Sequence, residues 1–217
     1  MTTRLKLLCH ASTSAVRTST FPADEPLDDQ GRQKLAAFPD SFPNSLRHGD
    51  RCLTSPALRA RQTAEALGLT ATIDLALRDC DYGQWTGRTF EEVQAQEPQA
   101  MAEWIGNPDA TPHGGESIAA LIARVSNWLD AQNTAPGSVV AVTHASVIRA
   151  AIVCALKAPP RSFWHIDVAS LSLVRLSGHG GRWTLASISS GKFGGINHPQ
   201  IKPAKPAQSP GHSRASF

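Results

Sequence analysis

The stretch Arg4-Leu-Lys-Leu-Leu-Cys-His-Ala-Ser-Thr13 decides the fold. Its first half is a short apolar run, and its second half turns small and polar at His10. That is the form of a strand ending in a loop. The same arrangement recurs far along the chain, where Ser138-Val-Val-Ala-Val-Thr143 is followed by His144-Ala-Ser146. Both runs read as strands, and each places a histidine at its carboxyl end.

Working outward, a Pro/Asp-rich loop, Phe21-Pro-Ala-Asp-Glu-Pro26, leads into a helix over Asp29–Phe38. Arg51-Cys-Leu-Thr54 is a second short strand. Ser55-Pro56 is expected to open the next helix, with proline at its first position, where a missing N–H costs nothing. That helix continues over Leu58–Leu67, and Gly68 is placed to end it. Thr89–Ile105 reads as helical, in two pieces divided at Pro98. Gly114-Gly-Glu-Ser117 is a loop. After it, Ile118, Leu121, Ile122, Val125, Trp128 and Leu129 recur at helical spacing. Ser146–Leu156 is a further helix, and strands close the fold at Ala169–Leu176 and Trp183–Ser189. Strands alternating with helices predict an α/β fold, a three-layer α/β/α sandwich with a mostly parallel central sheet. From about Gly191 the composition shifts to Gly, Pro, Lys and Ser. Residues 1–190 are therefore read as the catalytic domain and 191–217 as a disordered tail.

A chain of 217 residues is long enough for one sizeable core. No apolar run approaches the length that spans a bilayer, and the start does not read as a signal peptide. Cys9, Cys52, Cys80 and Cys154 are scattered, without metal-site or secreted-disulfide spacing. A reducing, cytoplasmic setting is expected. The net charge of +3 is mild and partly carried by Lys202 and Lys205 in the tail, so it is weak evidence for nucleic acid, and no nucleic-acid partner is expected.

In an open parallel sheet, ligands collect at the carboxyl ends of the strands. If the two histidine-bearing strands are neighbours, His10 and His144 converge on one pocket. The small residues after each, Ala11-Ser12-Thr13 and Ala145-Ser146, let backbone N–H groups approach an anion, and the helix after His144 points its positive end the same way. Arg59 lies in the first turn or so of the helix after Ser55-Pro56, where a guanidinium can grip a phosphate bidentately. Asp79 sits in Leu77-Arg-Asp-Cys-Asp-Tyr-Gly83. Nucleophile, second imidazole, cationic clamp and carboxyl group together suit phosphoryl transfer through a phosphohistidine.

Five stretches, in order, resemble the histidine phosphatase superfamily in its phosphoglycerate-mutase-like branch. They are Leu7-Leu-Cys-His-Ala-Ser-Thr13, Thr54-Ser-Pro-Ala-Leu-Arg-Ala-Arg-Gln-Thr-Ala64, Leu77-Arg-Asp-Cys-Asp-Tyr-Gly-Gln-Trp-Thr-Gly87, Gly114-Gly-Glu-Ser117 and Val142-Thr-His-Ala-Ser-Val-Ile-Arg149. The resemblance implies that His10 is phosphorylated, that Arg59 and His144 bind the phosphoryl group, and that Asp79 takes the proton-donor place. It implies no metal and no organic cofactor. The chain departs from the family at Cys9-His10-Ala11, where Arg-His-Gly is usual. It also has Asp79 for the usual Glu and Ala145 for the usual Gly. Arg17, on the first loop, is expected to replace the lost arginine, and Thr13 is counted with it among the phosphate-binding residues.

Several alternatives compete. A literal Arg47-His48-Gly49 follows a loop with no strand before it, and so lacks the context its motif requires. Cys9 and Arg17 have seven residues between them, too many for a cysteine-phosphatase loop of the Cys-x5-Arg kind, and Cys9 reads as a half-buried thiol. Asp81 competes with Asp79 for the donor role. Trp85 and Trp104 read as packing residues and His113 as part of a surface loop. A metal site built from His10, Cys9, Cys52 and His48 has no supporting spacing. The expectation is therefore a phosphohydrolase acting on a small phosphate monoester, with the segment Thr89–Pro112 covering the site. A mutase-type isomerase and a non-catalytic phospho-ligand binding module are the alternatives, and a homodimer is left open.

Overall fold

A computed structural model describes residues 2–38, 49–134 and 137–189. Strand β1 spans Thr2–Cys9. Its Leu5, Leu7 and Cys9 join one buried cluster, while Leu8 joins another. Strand β4, Ser138–Thr143, divides in the same way, with Val139 and Ala141 in the first cluster and Val140 and Val142 in the second. Successive strand side chains face opposite sides, so a strand apolar on both belongs to a sheet covered on both faces.

The sheet runs in the order β3-β2-β4-β1-β5-β6, with β2 at Arg51–Thr54, β3 at Thr72–Ile73, β5 at Leu173–His179 and β6 at Arg182–Ser189. The first four strands are parallel. β5 and β6 add an antiparallel edge. Helices α2 (Asp29–Ala36) and α3 (Leu58–Ala66) send Leu35, Ala60 and Ala64 against Leu8, Val140 and Val142. On the opposite face, α6 (Ile118–Thr134) and α7 (Ala145–Leu156) contribute Leu121, Val125, Leu129, Ile148 and Ile152. This is the expected three-layer α/β/α sandwich. A short helix α1 (Ser14–Arg17) follows β1.

The segment after Thr89 divides as expected. α4 (Phe90–Gln96) begins with a capping box, in which Thr89 and Glu92 satisfy each other's backbone N–H groups. Pro98 then opens α5 (Pro98–Gly106).

Four local expectations are corrected. Pro56 is not the first helical residue: α3 begins at Leu58, and Ser55-Pro56 is an irregular link in which the Ser55 hydroxyl meets His144 Nε2 and accepts from the Ala57 N–H. α2 ends at Ala36, short of Phe38. β5 begins at Leu173 rather than Ala169, because Leu171 adopts φ 62° in a turn whose N–H donates to the Cys9 carbonyl. His113 is not on the surface. It is buried against Trp85, with ring centroids 4.9 Å apart, and its Nδ1 accepts from the N–H of Gly115. A Cβ on Gly115 would stand 2.1 Å from the Asp81 carbonyl oxygen, so only glycine lets these two loops lie this close. Arg47, His48 and the 191–217 tail lie outside the described residues. Among the described residues, no helix is long and apolar enough to cross a membrane.

Candidate active site

β1 and β4 are adjacent, and Cys9 pairs with Thr143 in register. The residues just beyond are therefore neighbours. The His10 N–H donates to the Thr143 carbonyl, and the rings of His10 and His144 meet edge-on with centroids 5.2 Å apart. β2 lies on the other side of β4, and the Ser55 N–H donates to the Val142 carbonyl. Three parallel strands thus deliver His10, His144 and Ser55 to one place.

Nδ1 of His10 lies 2.7 Å from the Ala11 carbonyl oxygen. A carbonyl accepts only, so Nδ1 carries the proton and the Nε2 lone pair is the reactive position. Burial, followed by the Arg59 charge, lowers the pKa of His10 to about 4. The imidazole is consequently neutral and nucleophilic near pH 7. The loop holding it is fixed by Thr63, whose hydroxyl accepts from the Ala11 N–H at 3.0 Å and donates to the Arg59 carbonyl at 2.7 Å.

Arg59, on the first turn of α3, is 2% exposed and held on three sides. Its Nε donates to His10 Nε2 at 3.3 Å, Nη1 to the Ala23 carbonyl at 2.7 Å, and Nη2 to Asp79 Oδ2 at 2.8 Å. Asp79 also accepts from the Ser146 hydroxyl and from the Cys80 N–H. Burial alone would raise the Asp79 pKa, but His144, Arg59 and Ser146 outweigh it and hold the carboxyl far below the usual range. The ligand-free protein therefore carries a carboxylate at the position expected to donate a proton. Asp81 is exposed and accepts from the Gly83 N–H, so it does not compete for this place. Arg124 braces the loop from behind, gripping Glu116 with two nitrogens and donating to the Ala76, Arg78 and Asp79 carbonyls.

His144 is 1% exposed, and its Nε2 lies 2.7 Å from the Ser55 hydroxyl. Its Nδ1 stands 3.2 Å from Asp79 Oδ2 without hydrogen-bond alignment. Burial lowers its pKa to about 3, against the attraction of Asp79.

Two of the expected phosphate ligands stand elsewhere. Arg17 is half exposed and paired with Asp28 at 2.8 Å, so the structure does not bring it to the site. Thr13 is buried, and its hydroxyl accepts from Val16 N as the cap of α1 and donates to Glu25 at 3.0 Å. Cys9 is fully buried rather than half-buried. Burial, reinforced by Asp79, pushes its thiol up to about 12, which removes it as a thiolate nucleophile.

The site opens into a cavity lined by His10, Arg59, Asp79 and Ser146 together with Phe21, Tyr82, Phe90, Trp104, Phe163 and Trp164. Trp104 therefore lines the cavity as well as packing, and Phe90 and Trp104 bring α4 and α5 over the site as expected. Arg149 also lines it. The Arg149 guanidinium carbon lies 5.7 Å from the Phe163 ring centre, and its buried Nε has no partner among the described residues. Sequence reasoning quoted Arg149 without giving it a role. Its position five residues after His144, on the helix leading out of the site, was the available signal. Ser55 and Ser146 were missed because their hydroxyls act through His144 and Asp79. Among the described residues, no group of three or more His, Cys, Asp or Glu side chains is arranged to hold a metal ion.

Several known proteins are similar to this chain. The chain is 31% identical, over 89% of its length and 90% of the relative's, to a glucosyl-3-phosphoglycerate phosphatase of Mycolicibacterium vanbaalenii. It is 28% identical, over 70% of its length and 76% of the relative's, to phosphoserine phosphatase 1 of Hydrogenobacter thermophilus. Among solved structures, a mycobacterial glucosyl-3-phosphoglycerate phosphatase in complex with VO3 superimposes with a TM-score of 0.73 at 28% identity, covering 84% of this chain and 96% of that one. The model of the histidine phosphatase superfamily (branch 1) matches residues 5–190. The chain belongs to the histidine phosphatase superfamily, branch 1.

Proposed function

We propose that this protein is a phosphomonoesterase that hydrolyses a small phosphate ester through a phosphohistidine on His10. The observation that carries this reading is the neutral His10 imidazole, oriented by the Ala11 carbonyl so that Nε2 is the reactive atom, with the buried Arg59 beside it. His10 Nε2 attacks phosphorus in line. The P–N bond forms as the bond to the leaving oxygen breaks, and Asp79 protonates that oxygen. Water then attacks phosphorus, Asp79 takes its proton, and the P–N bond breaks to release phosphate. Arg59, His144 and backbone N–H groups stabilise the equatorial oxygens.

Asp79 is ionised in the ligand-free protein. A phosphoryl group that engages Arg59 removes the main cationic partner of Asp79 and sets negative charge next to it. Both effects raise its affinity for the proton it must donate. Arg149 supplies the second cation that the family has at position 9. It lines the same cavity, and its buried Nε has no partner among the described residues, whereas Arg17 is committed to Asp28. The names of the two relatives are those of phosphatases, which supports hydrolysis over a mutase-type isomerisation. The four unpaired thiols fit a reducing cytoplasmic setting. The test is phosphate release from a panel of metabolite phosphate esters. Turnover of at least one, abolished in His10→Ala, supports the reading. No turnover of any ester by a protein that binds vanadate would favour a non-catalytic binding module.

A further inference from the structure

Two cationic and two acidic side chains line the cavity, Arg59 and Arg149 against Glu25 and Asp79. In the proposed reaction the two guanidiniums meet the charge of the phosphoryl group and Asp79 handles the proton. Glu25 is left without a part. The loop that carries it is pinned on both sides. The Ala23 carbonyl accepts from Arg59 Nη1 at 2.7 Å, Asp24 accepts from the Leu58 N–H at 2.7 Å, and the Leu27 N–H donates to Gln62 at 2.9 Å. Glu25 Oε1 accepts from the Thr13 hydroxyl at 3.0 Å and lies 3.8 Å from Arg59 Nη1, while Asp79 Oδ2 lies 2.8 Å from Nη2. The two carboxyl groups thus stand at the two ends of one guanidinium. The Glu25 side chain is 16% exposed, and its Oε2 has no hydrogen-bond partner among the described residues.

We propose that Glu25 is a specificity-determining residue that takes the ammonium group of the leaving alcohol, so that the substrate is the phosphate ester of an amino alcohol rather than of a hydroxy acid. This rests on the phosphomonoesterase reading above. A leaving group that enters the cavity displaces water from Glu25, and a carboxylate oxygen that loses water needs a donor in its place. An ammonium brings three donors and the opposite charge. A hydroxy acid brings a second carboxylate into a cavity whose two cations are already engaged by the phosphoryl group. That carboxylate meets Glu25 as a like charge, with little water between them to screen it. An uncharged alcohol gains neither the attraction nor the repulsion, and its esters rank between the two.

The test separates recognition from turnover by using phosphonates, which bind but are not cleaved. The full chain is titrated calorimetrically with 3-aminopropylphosphonate, butylphosphonate and 3-phosphonopropanoate, which differ chiefly in the charge at the far end. The amine should bind about tenfold more tightly than the butyl compound, and the carboxylate about tenfold more weakly. Glu25→Gln keeps the size of the side chain and an oxygen for Thr13. It should bring the three ligands to within severalfold of one another, while Glu25→Asp, which keeps the charge, should retain their order. A purely structural role for Glu25 would shift all three affinities together and leave their ratios alone. Equal binding of the three by the parent chain, tightest binding of the carboxylate, or unchanged ratios in Glu25→Gln would each overturn the proposal. Phosphate release from propyl phosphate is measured alongside. Its absence, with the preference for the amine intact, would strike the phosphomonoesterase reading alone and leave the role of Glu25 standing.

Discussion

The Nε–H of Arg59 lies 3.3 Å from Nε2 of His10, so the guanidinium occupies the lone pair that attacks phosphorus in the proposed reaction. In that reaction an arriving phosphoryl group exchanges places with this contact, and Arg59 lets go of His10 while gripping oxygen. Arg59→Lys retains the charge but loses the fork that reaches His10, Ala23 and Asp79 together. Losing a charge-assisted contact of about 1.5–3 kcal/mol weakens vanadate binding by about tenfold to a hundredfold. Vanadate inhibition of Arg59→Lys checks this, and inhibition equal to that of the parent would show that Arg59 does not touch the phosphoryl group.

The lost arginine at position 9 gives a second prediction. Arg17 is half exposed and bound to Asp28, so Arg17→Ala should change turnover by no more than about twofold, as surface substitutions generally do. Arg149→Gln should weaken vanadate binding by about tenfold or more. Cys9→Arg should partly rescue Arg149→Gln, because the thiol of Cys9 feels the charges of Arg149, Arg59 and Asp79 and so lies near all three. Inhibition constants for both single variants and the double variant decide it. A severe loss in Arg17→Ala with a normal Arg149→Gln would reverse the assignment.

Stability should fall early in acid. His10 and His144 have folded pKa values of about 4 and about 3, against 6.5 when unfolded. Below pH 6.5 the unfolded chain therefore binds protons that the folded chain refuses, and stability drops as pH falls until the folded values are reached. Between pH 7.5 and pH 5 the two histidines together account for a loss on the order of 4 kcal/mol. Urea unfolding at several pH values measures it. His144→Gln should remove about half of the slope, and a pH-independent midpoint between 7.5 and 5 would contradict the buried neutral imidazoles.

The fold was legible because strands alternate with helices along the chain, and β4 is apolar on both faces, as a doubly covered sheet requires. His10 and His144 were legible because each follows a strand, Arg59 because it stands in the first turn of a helix and Asp79 from its loop stretch and the family resemblance, and the structure brings all four together. Arg17 was misplaced for a physical reason: proximity along the first loop does not fix direction, and Asp28 offers a nearer partner. His113 was read as exposed because its glycine-rich surroundings look like a surface loop. Those glycines in fact permit the close approach that buries it. Ser55-Pro56 has the form of a helix opening, but Ala57 still has extended backbone and α3 starts only at Leu58, while the Ser55 hydroxyl serves both Ala57 N–H and His144.

That hydroxyl gives a further prediction. Ser55→Ala leaves Nε2 of a buried His144 without its 2.7 Å partner, at a cost of about 1–3 kcal/mol in stability. The freed ring should also lower kcat by about tenfold with little change in KM if, as proposed, His144 acts on the developing charge. Ser55→Thr, which keeps the hydroxyl, should recover much of kcat. Equal damage from both substitutions would mean that packing, not the hydrogen bond, is what matters at this position.

In the proposed reaction His10 carries the phosphoryl group. The most direct test is rapid acid-free quenching of the protein during turnover of a labelled phosphate ester, followed by peptide mapping of the bound label. One acid-labile, base-stable phosphate is expected on the peptide containing His10, absent in His10→Ala and unchanged in His48→Ala. Label on the peptide containing His48, or full turnover by His10→Ala, would contradict it.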